Sequence, residues 1–86
     1  MKASHILVDT LEQAQSILAE ATVLNFGSLA QTHSKCPSKA RGGDLGDFGP
    51  GQMVKPFEDA TVATAVGEIS QPVQTQFGYH LIHRTG

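Results

Sequence analysis

Short apolar runs alternate with longer stretches in which apolar residues recur every three or four positions. Residues 5–8 form the first run and predict a buried strand, and residues 79–84 predict the last strand. From residue 11 onward, apolar side chains return at helical spacing, which predicts an amphipathic helix that runs to about Val23. The chain is therefore expected to begin with a strand and a helix and to close on a strand.

Two helix starts can be read from capping residues. Thr10 with Gln13 fits a capping box, and Asp9 with Glu12 offers the same geometry one residue earlier, so both starts remain open for the first helix. Asn25 is a good N-cap for a second helix. That helix would place on one face Phe26, Leu29, Ala30 and His33.

The middle of the chain predicts a very short helix and a second strand. Pro37 suits the first turn of a third helix, and the two glycines at residues 42–43 would end it. Residues 45–48 predict a strand, in which Leu45 and Phe48 should face opposite sides because side chains alternate along a strand.

The last third predicts a helix and a hairpin. Pro56 starts a fourth helix, and residues 69–75 predict a strand at a sheet edge because Pro72 interrupts it. Residues 76–78 form a turn before the last strand. The sum is an α+β domain over residues 1–86, with a four-stranded, mostly antiparallel sheet and about four helices.

Composition narrows the functional classes. The 86 residues carry a formal charge of −2, which gives no reason to expect nucleic acid or an anionic membrane as partner. No apolar run approaches the ~20 residues that a membrane span needs. A single cysteine and a start that leaves no room for a signal peptide predict a complete cytoplasmic protein. We expect no metal, since neither His33 nor His83 belongs to a closely spaced ligand pair. We also expect a monomer without a cofactor.

Two histidines at opposite ends of the chain are the strongest candidate for chemistry. His5 and His80 each lie in an apolar strand, and pairing of those strands would bring the imidazoles together. Two buried imidazoles cannot both carry charge at low cost, so a neutral, hydrogen-bonded pair is expected. Residues 42–48 and 51–57 could form an apolar cup beside the pair, which suits a reaction that breaks no bond.

Six stretches, taken in order and spacing, resemble one enzyme family over nearly the whole chain. They are His5-Ile6-Leu7-Val8, residues 26–34, Cys36-Pro37-Ser38, Arg41-Gly42-Gly43-Asp44-Leu45-Gly46, Gly51-Gln52-Met53-Val54-Lys55-Pro56-Phe57 and Thr75-Gln76-Phe77-Gly78-Tyr79-His80. The chain is similar to the small bacterial or archaeal parvulin-type peptidyl-prolyl cis/trans isomerases. The resemblance implies an FKBP-like β-α-α-α-β-α-β-β topology, with the first and last strands as central neighbours.

The resemblance also implies roles for single residues. The catalytic group would be His5, Cys36, Thr75 and His80, with Thr75 supporting the histidine pair. The residues that bind substrate would be Leu45, Gln52, Met53, Phe57 and Phe77. The implied partners are proline-containing peptides and unfolded or flexible protein segments.

Three functions remain open at this level. The first is an isomerase that twists X-Pro bonds without a covalent intermediate; it would not be specific for phosphopeptides, since residues 9–34 contain no Arg or Lys. The second is a proline-peptide binding module without turnover, and the third is a cysteine hydrolase built on Cys36. A small basic cluster near that cysteine predicts a mild preference for an acidic residue before proline and consists of Lys35, Lys39 and Arg41.

Overall fold

The computed structural model describes all 86 residues and contains one four-stranded sheet. Its strands are β1 (Lys2–Val8), β2 (Asp44–Asp47), β3 (Val73–Thr75) and β4 (Gly78–Arg84). They lie in the order β2-β1-β4-β3, and every neighbouring pair is antiparallel. The predicted α+β class is confirmed, and so is the central pairing of the first strand with the last.

Three α-helices and one 3-10 helix accompany the sheet. They are α1 (Leu11–Glu20), α2 (Phe26–His33), the 3-10 helix (Pro37–Arg41) and α3 (Lys55–Ala63). The predicted third helix is thus present as a single five-residue 3-10 segment, which ends where Gly42 turns left-handed. None of the helices combines the length and the apolar character that crossing a membrane would require.

The start of α1 settles the choice between the two possible caps. The Gln13 N–H donates to Thr10 Oγ1 at 3.2 Å, and the Thr10 N–H donates back to Gln13 Oε1 at 3.3 Å. This reciprocal pair is a capping box, so the helix begins after Thr10 and the alternative start at Asp9 is wrong.

The end of α1 and the start of α2 depend on Asn25. The prediction that α1 runs to Val23 is wrong, because the Asn25 amide donates to the Glu20 carbonyl at 2.9 Å. Asn25 Oδ1 also accepts from the Thr22 N–H at 2.6 Å. Asn25 does precede α2 as predicted, but its side chain makes no capping bond to that helix. It stabilises the turn behind it instead.

Alternation along β1 and β4 divides the apolar core between the two faces of the sheet. One side, here called the helix-face cluster, consists of Ile6, Val8, Ala14, Ile17, Phe26, Ala30 and Leu81. The other side, the pocket-face cluster, consists of Ala3, Phe48, Phe57 and Ile82, with Leu45, Met53 and Val54 partly buried against it.

Leu45 and Phe48 do not face opposite sides as predicted. Both pack against the pocket-face cluster. The alternation fails because Gly46 has a φ of +71°, which re-aims the backbone between them, and because β2 already ends at Asp47. An irregular register between β1 and β2 accompanies this change.

The edge strand β3 is shorter than predicted. Only Val73–Thr75 pairs as a strand, and Ile69 makes a single isolated bridge to His83. Pro72 stands between the two segments and has no N–H to donate, so continuous pairing is interrupted there. The predicted hairpin turn is confirmed, since Thr75 pairs directly with Gly78 across two residues.

Candidate active site

The structure brings His5 and His80 together on the two central strands. The register pairs His5 with Ile82 and Leu7 with His80, so the two histidines are diagonal neighbours on one face. Their Nδ1 atoms lie 2.9 Å apart, and the ring planes differ by 17°. The predicted proximity of residues 75 positions apart in sequence is confirmed.

Thr75 fixes the outer end of this pair. Its Oγ1 lies 2.7 Å from His80 Nε2, and the same oxygen accepts from the Phe77 N–H at 3.2 Å. The tight hairpin between β3 and β4 places the hydroxyl there, because Thr75 is the last residue before the turn. The result is one hydrogen-bonded row from Thr75 through His80 to His5.

Both imidazoles are neutral at pH 7. Burial, and to a smaller extent the charge of a neighbouring His80, lowers the pKa of His5 to about 4. Burial also lowers the pKa of His80 to about 4. In a neutral pair one Nδ1 carries a hydrogen and donates the hydrogen bond, and the other Nδ1 accepts that bond. His5 Nε2 is then left buried without a hydrogen-bond partner.

A pocket of about 470 Å³ opens beside the pair. Its apolar wall contains Leu45, Met53 and Phe57, to which the family resemblance gives a role in substrate binding. The Phe57 ring stands edge-on to both imidazoles, with centroid distances of 5.5 Å to His5 and 5.2 Å to His80. The remaining lining residues are Leu7, Lys35, Cys36, Pro37, Gln52, Val54 and Phe77.

Gln52 and Phe77 lie at the rim of this pocket. Gln52 is exposed, and its Oε1 accepts from the Gly49 N–H at 2.7 Å, which braces the loop before α3. Phe77 is 59% exposed at the tip of the β3–β4 hairpin. An apolar ring that is so open to solvent offers contact area to a bound chain.

Cys36 lines the pocket but makes no hydrogen bond through its sulfur. It precedes the 3-10 helix, and its N–H donates to Ser34 Oγ at 3.3 Å. No hydrogen bond joins the thiol to either imidazole, so the histidine pair does not orient Cys36 through such a bond. The thiol is a free, partly buried part of the wall.

Two residues that support the wall were missed by the sequence analysis. Ser34 is buried, and its Oγ also accepts from the Leu7 N–H at 3.0 Å, which fastens the Cys36 segment to β1. Leu7 itself lines the pocket. The two-residue period from His5 would have identified Leu7, whereas nothing in the sequence distinguishes Ser34 from other serines.

The other two histidines lie away from the site. His33 was expected to pack on the apolar side of α2 but is exposed. His83 is partly buried against Phe26, with ring centroids 5.5 Å apart, and this burial lowers its pKa. No group of three or more His, Cys, Asp or Glu side chains is arranged to hold a metal ion.

Comparison with known proteins agrees with this geometry. The fold is that of a rotamase domain, and the Rotamase family model, a PPIC-type PPIase domain, matches residues 5–86. The chain belongs to the parvulin-type peptidyl-prolyl cis/trans isomerases, and it is an enzyme of that class.

The chain is similar in sequence to relatives of two kinds. It is 54% identical over 80 residues to the peptidyl-prolyl cis-trans isomerase Pin1 of Digitalis lanata, covering 91% of this chain and 68% of that protein. It is 47% identical to the foldase protein PrsA of Geobacillus kaustophilus, covering 99% of this chain but only 31% of the foldase.

Solved structures show the same fold. The peptidylprolyl isomerase PrsA of Bacillus anthracis superposes with a TM-score of 0.93 at 43% identity, covering all of this chain and 41% of that one. NmPin, the parvulin of Nitrosopumilus maritimus, superposes with a TM-score of 0.85 at 43% identity, covering 100% of this chain and 95% of NmPin.

Proposed function

We propose that this protein accelerates rotation about X-Pro bonds in unfolded or flexible protein segments, without a covalent intermediate and without preference for a phosphorylated residue. The observation that carries this proposal is the apolar pocket of about 470 Å³ beside a neutral histidine pair. A proline ring fits the chemistry of such a wall, and a neutral pair offers hydrogen bonding without a formal charge.

The pocket can lower the rotational barrier by desolvation and by holding the ring. The barrier is ~18–20 kcal/mol and comes from amide resonance, which water stabilises in the polar planar form. Leu45, Met53 and Phe57 would hold the pyrrolidine ring while the preceding carbonyl turns in a site with little water. Removing roughly 4–7 kcal/mol would accelerate rotation about 10³–10⁵-fold.

The histidine pair supports the site by shape and field. With both pKa values near 4, neither imidazole takes up a proton at neutral pH, which disfavours a proton shuttle. The pair and Thr75 form a fixed row of dipoles behind the pocket. A double replacement of His5 and His80 that left both folding and turnover intact would contradict this role.

Cys36 serves in this proposal as a polar part of the wall. Attack on the substrate carbonyl would need a base on the sulfur, and no imidazole is hydrogen-bonded to it. Isomerisation gains nothing from an acyl intermediate, because no bond is to be broken. Activity that survives Cys36→Asp supports the wall; complete loss in both Cys36→Asp and Cys36→Ser supports attack, and cleaved peptide would reveal a hydrolase.

The substrate class follows from the charge around the pocket. The turn after β1 carries Asp9 and no basic residue, and Lys35 is the one cation among the residues that line the pocket, so a phosphoserine before proline meets no cluster of cations there. The names of two kinds of relatives, the foldase PrsA and the SurA-like chaperones of Campylobacter jejuni, support the proposal that the substrates are unfolded proteins. We further propose that the protein acts as a monomer.

The chaperone relatives also favour a second candidate, a module that binds proline segments in the same groove without turnover. The SurA-like structure superposes with a TM-score of 0.95 at 41% identity. The superposition covers 99% of this chain and 37% of that one. The exposed ring of Phe77 at the rim would contribute to such binding.

Exchange NMR spectroscopy on short X-Pro peptides tests the proposal. We expect faster cis–trans exchange at substoichiometric protein, with similar rates for Ser-Pro and phosphoserine-Pro peptides. Binding without faster exchange would select the module. A phosphopeptide that is isomerised much faster than its unphosphorylated twin would overturn the statement on phosphate.

A further inference from the structure

Only one residue that lines the pocket carries a formal charge. The two imidazoles are neutral at pH 7, and all other lining residues except Lys35 have uncharged side chains. Lys39 and Arg41, which the sequence grouped with Lys35, do not line the pocket. Any preference for charge next to the proline ring therefore depends on Lys35.

The backbone holds Lys35 at a fixed place on the rim. Its N–H donates to the Leu7 carbonyl at 2.8 Å, and the preceding Ser34 hydroxyl accepts from the Leu7 N–H. These two bonds fasten the segment to the end of β1, two residues from His5. Asp9 follows two residues after Leu7 on the same chain, so its side chain can reach the Lys35 ammonium.

Asp9 forms an ion pair with Lys35, and this carboxylate has no other hydrogen-bond partner. We propose that Asp9 masks Lys35 and thereby removes the preference for an acidic residue before proline that Lys35 would otherwise give the site. The inference rests on the isomerase function proposed above. Asp9 and Lys35 are positioning and specificity residues here, because neither is assigned contact with the twisting bond.

The physical argument is a competition between carboxylates. An acidic side chain next to the bound proline has to displace Asp9 from Lys35 and also approaches the negative charge of Asp9 itself. Both side chains of the pair are more than half exposed, at 57% and 54%, so the pair is weak enough to be replaced. Removing the carboxylate would end both effects together.

The test measures kcat/KM for peptides with Glu, Leu or Lys before proline, in the wild type and in Asp9→Asn. This variant keeps the shape of the side chain, and the capping box uses only the main-chain N–H of Asp9. We expect the Glu-to-Leu ratio to rise about 2- to 5-fold and the Lys-to-Leu ratio to fall. The gain for Glu should shrink as salt is added.

A second variant assigns the effect to Lys35. In Asp9→Asn/Lys35→Met the unmasked ammonium is gone, so the Glu-to-Leu ratio should return to the wild-type value. A ratio that stays high in the double variant would overturn the inference, because the gain would then come from the loss of Asp9 alone. Circular dichroism establishes that each variant is folded.

Asp59→Asn is the matched control. Asp59 pairs with Lys55 at 3.3 Å on the exposed side of α3, and neither residue lines the pocket. The control removes the same net charge and should leave all three rates unchanged. If Leu-Pro turnover is normal but Asp9→Asn moves no ratio, this inference fails; if no X-Pro peptide is turned over by the wild type, the proposed function itself fails.

Discussion

The two faces of the sheet differ in how completely their apolar side chains are covered. On the helix face, α1 and α2 pack on the sheet and form with it a cluster of seven buried apolar residues, in which Phe26 is only 1% exposed. On the pocket face only four apolar residues are buried, and Leu45, Met53 and Val54 remain partly open to solvent. The same strands thus serve a closed core on one side and an open cavity on the other.

This difference suggests that the helix face mainly stabilises the fold and that the pocket face mainly binds substrate. Burial contributes about 25 cal/mol per Å² of apolar area, so the closed face supplies more stabilisation per residue. The open face leaves apolar area unburied, which a bound proline can cover. We therefore expect substitutions on the helix face to lower the free energy of unfolding, and substitutions on the pocket face to lower turnover.

The largest effect is expected from Phe26→Ala. This change leaves a cavity among the residues of the helix-face cluster and should lower the free energy of unfolding by about 3–5 kcal/mol, as measured by urea denaturation. Where the alanine variant does not fold, Phe26→Leu should still lose about 1 kcal/mol or more. The folded fraction should keep normal kcat/KM, and a loss of turnover without a loss of stability would contradict the division of roles.

The next largest effect is expected from acid, which should lower the free energy of unfolding by protonating the histidines of the pocket face. The pKa values of His5 and His80 lie near 4 in the folded protein, below the 6.5 of a free imidazole. As the pH falls, the unfolded chain takes up protons first, so the free energy of unfolding is highest above pH 6.5 and decreases toward pH 4. Between pH 6.5 and pH 5 the two imidazoles together should account for a decrease of roughly 3 kcal/mol.

This pH dependence is best measured between pH 6.5 and 5, above the titration of ordinary carboxylates. The double variant His5→Asn/His80→Asn is the control, and it should lose most of this slope. The slope that remains would come from His83, whose pKa is also lowered by burial. A free energy of unfolding that stays flat over this interval would mean that the imidazoles are not protected from protonation.

A smaller effect, and one on turnover, is expected from Met53→Ala. Met53 is only partly buried and lines the pocket, so its loss should cost about 1 kcal/mol of stability or less. Removing one wall of the ring site should lower kcat/KM about 10- to 100-fold in the exchange assay. Unchanged turnover would place the proline ring elsewhere.

Two threonines provide the finest comparison. Thr10→Ala removes the cap of α1 and should lower the free energy of unfolding by about 1 kcal/mol at unchanged kcat/KM. Thr75→Val removes the hydroxyl from His80 Nε2 and should lower kcat/KM several-fold. Thermal unfolding and the exchange assay on both variants check the pair, and equal effects on turnover would erase the distinction.

Much of the fold was predictable because local signals agreed with it. Apolar spacing gave α1 and both central strands, and glycine and proline positions gave the turns. The errors lie where a single residue acts over a distance. Asn25 ends α1 from five residues away, and the positive φ of Gly46 turns Leu45 and Phe48 to one side. Neither effect changes the spacing of apolar residues from which the elements were predicted.

The site was predictable in its members but not in its contacts. The pairing of His5 with His80 followed from which strands are neighbours, and that rested on family resemblance. The ion pair of Lys35 with Asp9 could not be predicted, because it joins two loops whose approach depends on Ser34 and Leu7. Spacing along the chain carries no information on such a contact.

The first and last strands are central neighbours, and this has a consequence for synthesis. A nascent chain leaving the ribosome exposes His5 early, but its partner is translated 75 residues later. A prematurely terminated product that lacks β4 has no central partner for β1 and cannot form the row of Thr75, His80 and His5. Assembly of the pocket in this protein therefore waits until the final strand has been translated.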